Sequence, residues 1–133
     1  MIAIVDYGVG NLFSLTSSLT MLGIESEVTG DAAKLKAADQ VILPGVGAFA
    51  DAMGKLKENG LDQTVIELAQ SGKPLLGICL GMQLLFDSSE EFGVHEGLGL
   101  VPGRVVSLAE AFAKAGIELK VPHIGWNPIT FRK

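Results

Sequence analysis

Three short runs, IAIVD (residues 2–6), QVILP (residues 40–44) and PLLGIC (residues 74–79), constrain this chain more than any other feature. Each is too short for a helix and too uniformly apolar for a strand with one wet face, so each predicts a strand buried on both sides, as in a parallel sheet. Between them the apolar period lengthens. Leu12, Leu15, Leu19 and Leu22 mark one helical face, with Asn11 placed as its N-cap and Gly23 as its stop. IESEV (residues 24–28) predicts a further, half-exposed strand. Helical spacing returns over residues 51–56 and 61–69, divided by the breaker Asn59-Gly60. Strands alternating with helices imply βαβ units, hence an α/β fold with a mainly parallel sheet.

The 133 residues fit one domain, 1–133, without linker, repeat or low-complexity tract. A content of 48% hydrophobic residues agrees with doubly buried strands. No apolar run reaches the roughly 20 residues of a membrane helix, so no membrane role is expected. The start, MIAIVDYG, lacks the basic region and cleavage site of an export signal, which makes the cytoplasm the expected location. A single cysteine makes no internal disulfide, and His95 and His123 lie apart, so neither a metal site nor any other cofactor is expected. A net charge of −5 without a basic face excludes nucleic acid as the expected partner.

After Phe86 the pattern shifts to glycine-punctuated short strands, SSEEFGVHEGLGL (residues 88–100) and VPGRVVSL (residues 101–108), which suggest an antiparallel excursion. Residues 107–115 read as either a helix or a mobile loop. KVPHIGWNPITF (residues 120–131) reads as an extended stretch before Lys133. A doubly wound domain normally finishes with one more strand and a covering helix, so the C-terminal part of the fold is expected to be missing.

The lone Cys79 stands between Gly77 and Gly81, two residues to either side, the spacing of a nucleophile elbow in which a strand turns sharply into a helix. Such a turn strains its apex residue, and flanking glycines remove the Cβ atoms that would collide. Met82, Leu85 and Phe86 follow at helical spacing, which would set the thiol at a helix N-terminus, where thiolate is favoured. The alternative is that Cys79 is simply a small buried hydrophobe at a strand end. A second loop, Leu43-Pro44-Gly45-Val46-Gly47-Ala48-Phe49, also leaves a buried strand at its C-terminal end, where ligands bind in open α/β sheets. Its glycines, Gly45 among them, let backbone N–H groups point into the cleft, where they suit an oxyanion beside Cys79. By itself the loop also reads as a plain strand-to-helix turn.

PGVGAF, GICLGMQLLF and VPHIGWN, in this order and together with the opening DYGVGN, resemble the class I glutamine amidotransferase family over the whole chain. GICLGMQ marks only the superfamily, whereas PHIGWN with DYGVGN resembles its histidine-biosynthesis branch. The resemblance implies a flavodoxin-like three-layer fold. It also implies that Cys79 attacks the side-chain amide of L-glutamine, expels ammonia and leaves a glutamyl thioester that water hydrolyses to glutamate. Val46, after a peptide rearrangement, and Leu80 would hold the oxyanion through their N–H groups. Gln83 and Glu91 match positions that contact the backbone groups of glutamine, although from the residues alone Glu91 reads equally as a solvated acid. In this branch the ammonia passes to a (β/α)8-barrel cyclase subunit in a heterodimer, protected from protonation in bulk water. Tyr7, Asn11, His123, Trp126 and Asn127 fall on segments that face that partner; without the resemblance Trp126 would read as core. The family takes its base, a histidine with an orienting glutamate, from a motif beyond Trp126-Asn127. The chain is therefore expected to carry the nucleophile without the base and, alone, to turn over little or no glutamine.

Overall fold

A computed structural model describes residues 1–132. Four parallel strands form the main sheet: β1 (Ile2–Val5), β2 (Ser26–Thr29), β3 (Gln40–Leu43) and β4 (Leu75–Gly77), in the order β2-β1-β3-β4. Alternation along β1 and β3 sends their side chains to two cores. Ala3, Val5, Val41 and Leu43 pack with Leu35, Phe49, Leu56, Leu61 and Val65 from one layer of helices. Ile4 and Ile42 pack on the other face with Leu19, flanked by Leu12 and Leu15. The first layer comprises α2 (Ala32–Ala37), α3 (Phe49–Glu58) and α4 (Leu61–Gln70), and the second is α1 (Leu12–Met21). Both faces of β1 and β3 are thus dry, as their uniform hydrophobicity predicts; β4, expected to be equally buried, ends the sheet and leaves Leu76 exposed. Each fully buried aliphatic or aromatic side chain contributes on the order of 1.5–3 kcal/mol.

Local signals set most boundaries. The Asn11 side chain accepts from Ser14 N at 3.2 Å and opens α1. The second strand starts later than expected, at Ser26, because the N–H of Ile24 is drawn back onto Leu19 O at 2.9 Å in the turn that ends α1. Asp31 accepts from Ala33 N and Lys34 N and opens α2, a helix the sequence reading did not single out.

The region after the elbow departs most from expectation. Only one helical turn, α5 (Leu80–Gln83), follows Cys79, and Phe86 begins a strand instead of continuing a helical face. The carbonyls of Leu84 and Leu85 show why. Leu98 N donates to Leu84 O at 2.8 Å, and Leu100 N and Val101 N donate to Leu85 O at 2.8 and 2.9 Å, so the acceptors a longer helix needs are already engaged. A second sheet follows, β5 (Phe86–Ser89), β6 (His95–Glu96) and β7 (Val101–Val105), in the order β6-β5-β7. It is mixed and not wholly antiparallel: β6 pairs antiparallel with β5, whereas β7 pairs parallel with it.

The two alternatives for residues 107–115 resolve to α6 (Leu108–Ala115), opened by the Ser107 side chain and closed by Gly116 in the left-handed conformation at φ 67°. None of its residues is buried. Residues 117–132, the expected extended stretch 120–131 among them, form no helix or strand and are exposed.

Candidate active site

Cys79 sits at the turn from β4 into α5 with φ 55° and ψ −118°, a region an L-residue occupies only under strain, on the order of 1–3 kcal/mol. Hydrogen bonds on both sides hold it there. Ile78 N donates to Leu43 O at 3.0 Å, and Met82 N and Gln83 N donate to Cys79 O at 3.1 and 3.2 Å. The thiol is exposed, so the buried-hydrophobe alternative does not describe it. The helix dipole expected behind it is small, because α5 is a single turn of four residues.

Three glycines make this geometry possible. A Cβ on Gly77 would stand 2.6 Å from Met82 Cα, and one on Gly81 would stand 1.9 Å from Leu43 O. A Cβ on Gly45 would stand 2.6 Å from Gly81 N. The elbow and the Pro44–Phe49 loop are therefore stacked backbone against backbone, which fixes the thiol beside the loop.

That contact frames a cavity of about 250 Å³, lined by Pro44, Gly45, Val46, Ile78 and Cys79 together with Asn11, Ser14, Leu15 and Ser18 of the first helix. Among the described residues the N–H groups of Gly45, Val46 and Leu80 make no hydrogen bond, so all three remain available as donors. Leu80 contributes only backbone here, since its side chain is buried. The helical contribution was not anticipated, although 11, 14, 15 and 18 are spaced as one helical face. A larger cavity of about 410 Å³, lined by Leu119, Lys120, Pro122, His123 and Ile124, lies in the irregular tail, apart from Cys79 and the Pro44–Phe49 loop.

The other predicted residues are dispersed. Gln83 closes α5, half-buried, and does not line the Cys79 cavity. Glu91 does not line it either; it is exposed, as a solvated acid would be, but its Oε2 accepts from the backbone N–H of Phe49 at 2.7 Å, so one of its oxygens is engaged. Tyr7 corrects an expectation. It is 2% exposed and its hydroxyl donates to Pro44 O at 2.7 Å, so its side chain packs inside the fold and offers no surface to a partner. Burial pushes its phenol up to about 12. Asn11 caps the first helix and borders the cavity. Trp126 is fully exposed, contrary to a core reading, and near it Asn127 Nδ2 lies 2.8 Å from His123 Nε2. His95 Nε2 lies 3.2 Å from Phe92 O, and neither histidine lines the Cys79 cavity. Among the described residues no group of three or more His, Cys, Asp or Glu is arranged for a metal ion, and no helix is long and apolar enough to cross a membrane.

Residues 2–120 match the family model of the CobB/CobQ-like glutamine amidotransferase domain. The chain belongs to the glutamine amidotransferase family. Among curated relatives of this amidotransferase chain, the imidazole glycerol phosphate synthase subunit HisH of Sulfurimonas denitrificans is 57% identical over 96% of this chain and 60% of its own length. The protein of the same name from Syntrophotalea carbinolica is 48% identical over 100% and 65% of the two chains. That from a Geobacillus strain is 54% identical over 99% and 62%. The amidotransferase chain thus spans about three fifths of the length of these relatives. A crystal structure of a glutamine amidotransferase shares the fold, with a TM-score of 0.68 at 22% identity, over 80% of this chain and 56% of that one.

Proposed function

We propose that this chain is the nucleophile-bearing portion of the glutaminase subunit of an imidazole glycerol phosphate synthase, acting in histidine biosynthesis in the cytoplasm. The observation that carries the reading is the exposed, strained Cys79 stacked against a loop with free N–H groups, in a chain 57% identical to a HisH subunit. The thiolate of Cys79 attacks the side-chain carbonyl carbon of L-glutamine, and the negative charge that develops on the carbonyl oxygen is met by N–H groups of Leu80 and the Gly45–Val46 segment. The C–N bond breaks as the amide nitrogen takes up the proton that the Cys79 thiol lost on ionising, so it leaves as neutral ammonia, and water cleaves the glutamyl thioester to glutamate and free thiol. The ammonia passes to a (β/α)8-barrel cyclase in a heterodimer, with the exposed Trp126 as a candidate anchor for that partner. In the assembled enzyme Cys79→Ser should abolish glutamine-dependent turnover while leaving turnover with added ammonia intact. Equal loss with both nitrogen sources would overturn the reading.

A second reading has its own observation. It holds that the 133 residues by themselves act as a glutamine-binding module without a base, and what supports it is that no histidine lines the Cys79 cavity among the described residues. Loss of a triad base lowers turnover by several orders of magnitude. Glutamate release from the isolated chain should be at or near background, whereas covalent labelling of Cys79 by a glutamine-mimicking diazoketone should still occur slowly. Turnover like that of a complete enzyme would require another base.

A further inference from the structure

The Pro44–Phe49 loop is held at both ends, packed at Gly45 against the elbow, and open to solvent at Val46 and Gly47. At its upstream end the buried Tyr7 hydroxyl donates to Pro44 O at 2.7 Å, across 37 residues of sequence. The phenol is protonated, and so a donor, throughout the neutral range, and burial pushes its ionisation up to about 12. At the downstream end α3 starts without a cap of its own: Ala48 occupies the N-cap position and makes no side-chain hydrogen bond. Glu91 serves from a distant segment, its Oε2 accepting from Phe49 N at 2.7 Å. Glu91 is itself anchored, since its N–H donates to Oγ of the fully buried Ser89 at 3.2 Å and the preceding Glu90 N donates to Val105 O at 3.0 Å. Between the two anchors the N–H groups of Gly45, Val46 and Gly47 are unbonded among the described residues, Val46 is 52% exposed, and Gly47 has φ 89°.

We propose that Tyr7 and Glu91 are positioning residues that clamp the two ends of this loop, so that any peptide rotation presenting an N–H to the oxyanion is confined to the Gly45–Gly47 stretch beside Cys79. A clamped loop turns a few peptide planes at little entropic cost, whereas a loose one would have to be ordered in each catalytic cycle. Glu91 also ties the second sheet to the loop. A ligand that engaged its free Oε1 would act on the same carboxylate that caps Phe49, giving one residue two duties. The catalytic consequence rests on the glutaminase reading; the clamp itself is a matter of hydrogen bonds and stands apart from it.

The test uses the intact protein with Glu91→Ala, Glu91→Gln and Tyr7→Phe, with two readouts. The first is amide exchange. Phe49 N–H should exchange at least roughly tenfold faster in Glu91→Ala, and Glu91→Gln, whose side-chain oxygen still accepts, should restore most of the protection. The second is the ratio of Cys79 labelling by a glutamine-mimicking diazoketone to labelling by iodoacetamide, a small electrophile that needs no oxyanion site. This ratio should fall about tenfold in Tyr7→Phe and in Glu91→Ala, with the iodoacetamide rate unchanged. Phe49 exchange unaltered in Glu91→Ala, or a ratio unaltered in Tyr7→Phe, overturns the clamp. Should Glu91→Ala not fold, the unsubstituted protein still decides: free exchange at Phe49 there overturns it too. Failure of the diazoketone to label the unsubstituted protein would sink the glutaminase reading instead, with the exchange data still judging the clamp.

Discussion

Gly81 is the residue whose side chain the fold tolerates least. Its absent Cβ lies 1.9 Å from a backbone oxygen of β3, an atom that cannot move without breaking the sheet. Gly81→Ala should therefore destabilise the fold by on the order of 3 kcal/mol or more and depress Cys79 labelling; Gly81→Val should abolish labelling. Urea unfolding and thiol titration check this, and unchanged labelling would count against the elbow. Tyr7, the sole tyrosine, carries a pH prediction. In the fold it ionises near 12, in the unfolded chain near 10. Below 10 both states hold the proton and the group adds no pH dependence. Between 10 and 12 the unfolded state sheds its proton first, so stability falls as pH rises, by at most roughly 2–3 kcal/mol. Tyr7→Phe should remove that slope and, by leaving Pro44 O unpaired, cost about 1–3 kcal/mol at neutral pH. Urea midpoints across the alkaline range measure both.

At the scale of elements, helix boundaries follow caps where the neighbours are local and carbonyl partners where they are not. Asp31 opens α2 with two hydrogen bonds to its own first turn, so Asp31→Ala should cost about 1 kcal/mol in thermal or urea unfolding. The signal was present in the sequence, an aspartate before AAKLKA, and a reading guided by long apolar periods passes over so short a helix. α5 is different. Residues 80–86 have helical spacing, and nothing in them announces that Leu98, Leu100 and Val101 will claim the carbonyls of Leu84 and Leu85. The same is true of Glu91. Its acidity is visible in the sequence, but its role as the missing cap of α3 depends on a partner 42 residues away.

For the molecule as a whole, α1 covers the second face of the sheet over β1 and β3 and stops short of β4. Leu76 is 55% exposed, and β4 has one neighbour, β3, among the described residues. An exposed strand edge with apolar side chains invites pairing with another chain. The isolated 133-residue chain should self-associate at micromolar concentrations, and Leu76→Lys should reduce this, with sedimentation velocity as the measurement. The tail adds to the tendency, because Ile124, Trp126, Ile129 and Phe131 are all at least 77% exposed.

The α/β alternation, the doubly buried β1 and β3, the first helix with its Asn11 cap and the glycine-flanked bend at Cys79 are all legible in the order of the residues. All of these rest on interactions within a few residues: apolar period, cap chemistry, and glycine where a Cβ has no room. That Tyr7 turns inward to Pro44, that Glu91 caps α3, that β7 runs parallel to β5 and that α5 ends after one turn emerge from the packed fold alone. Each of these depends on which distant backbone group a donor or acceptor meets once the chain is packed, and burial makes such meetings obligatory because an unpaired polar group inside costs about 1–3 kcal/mol.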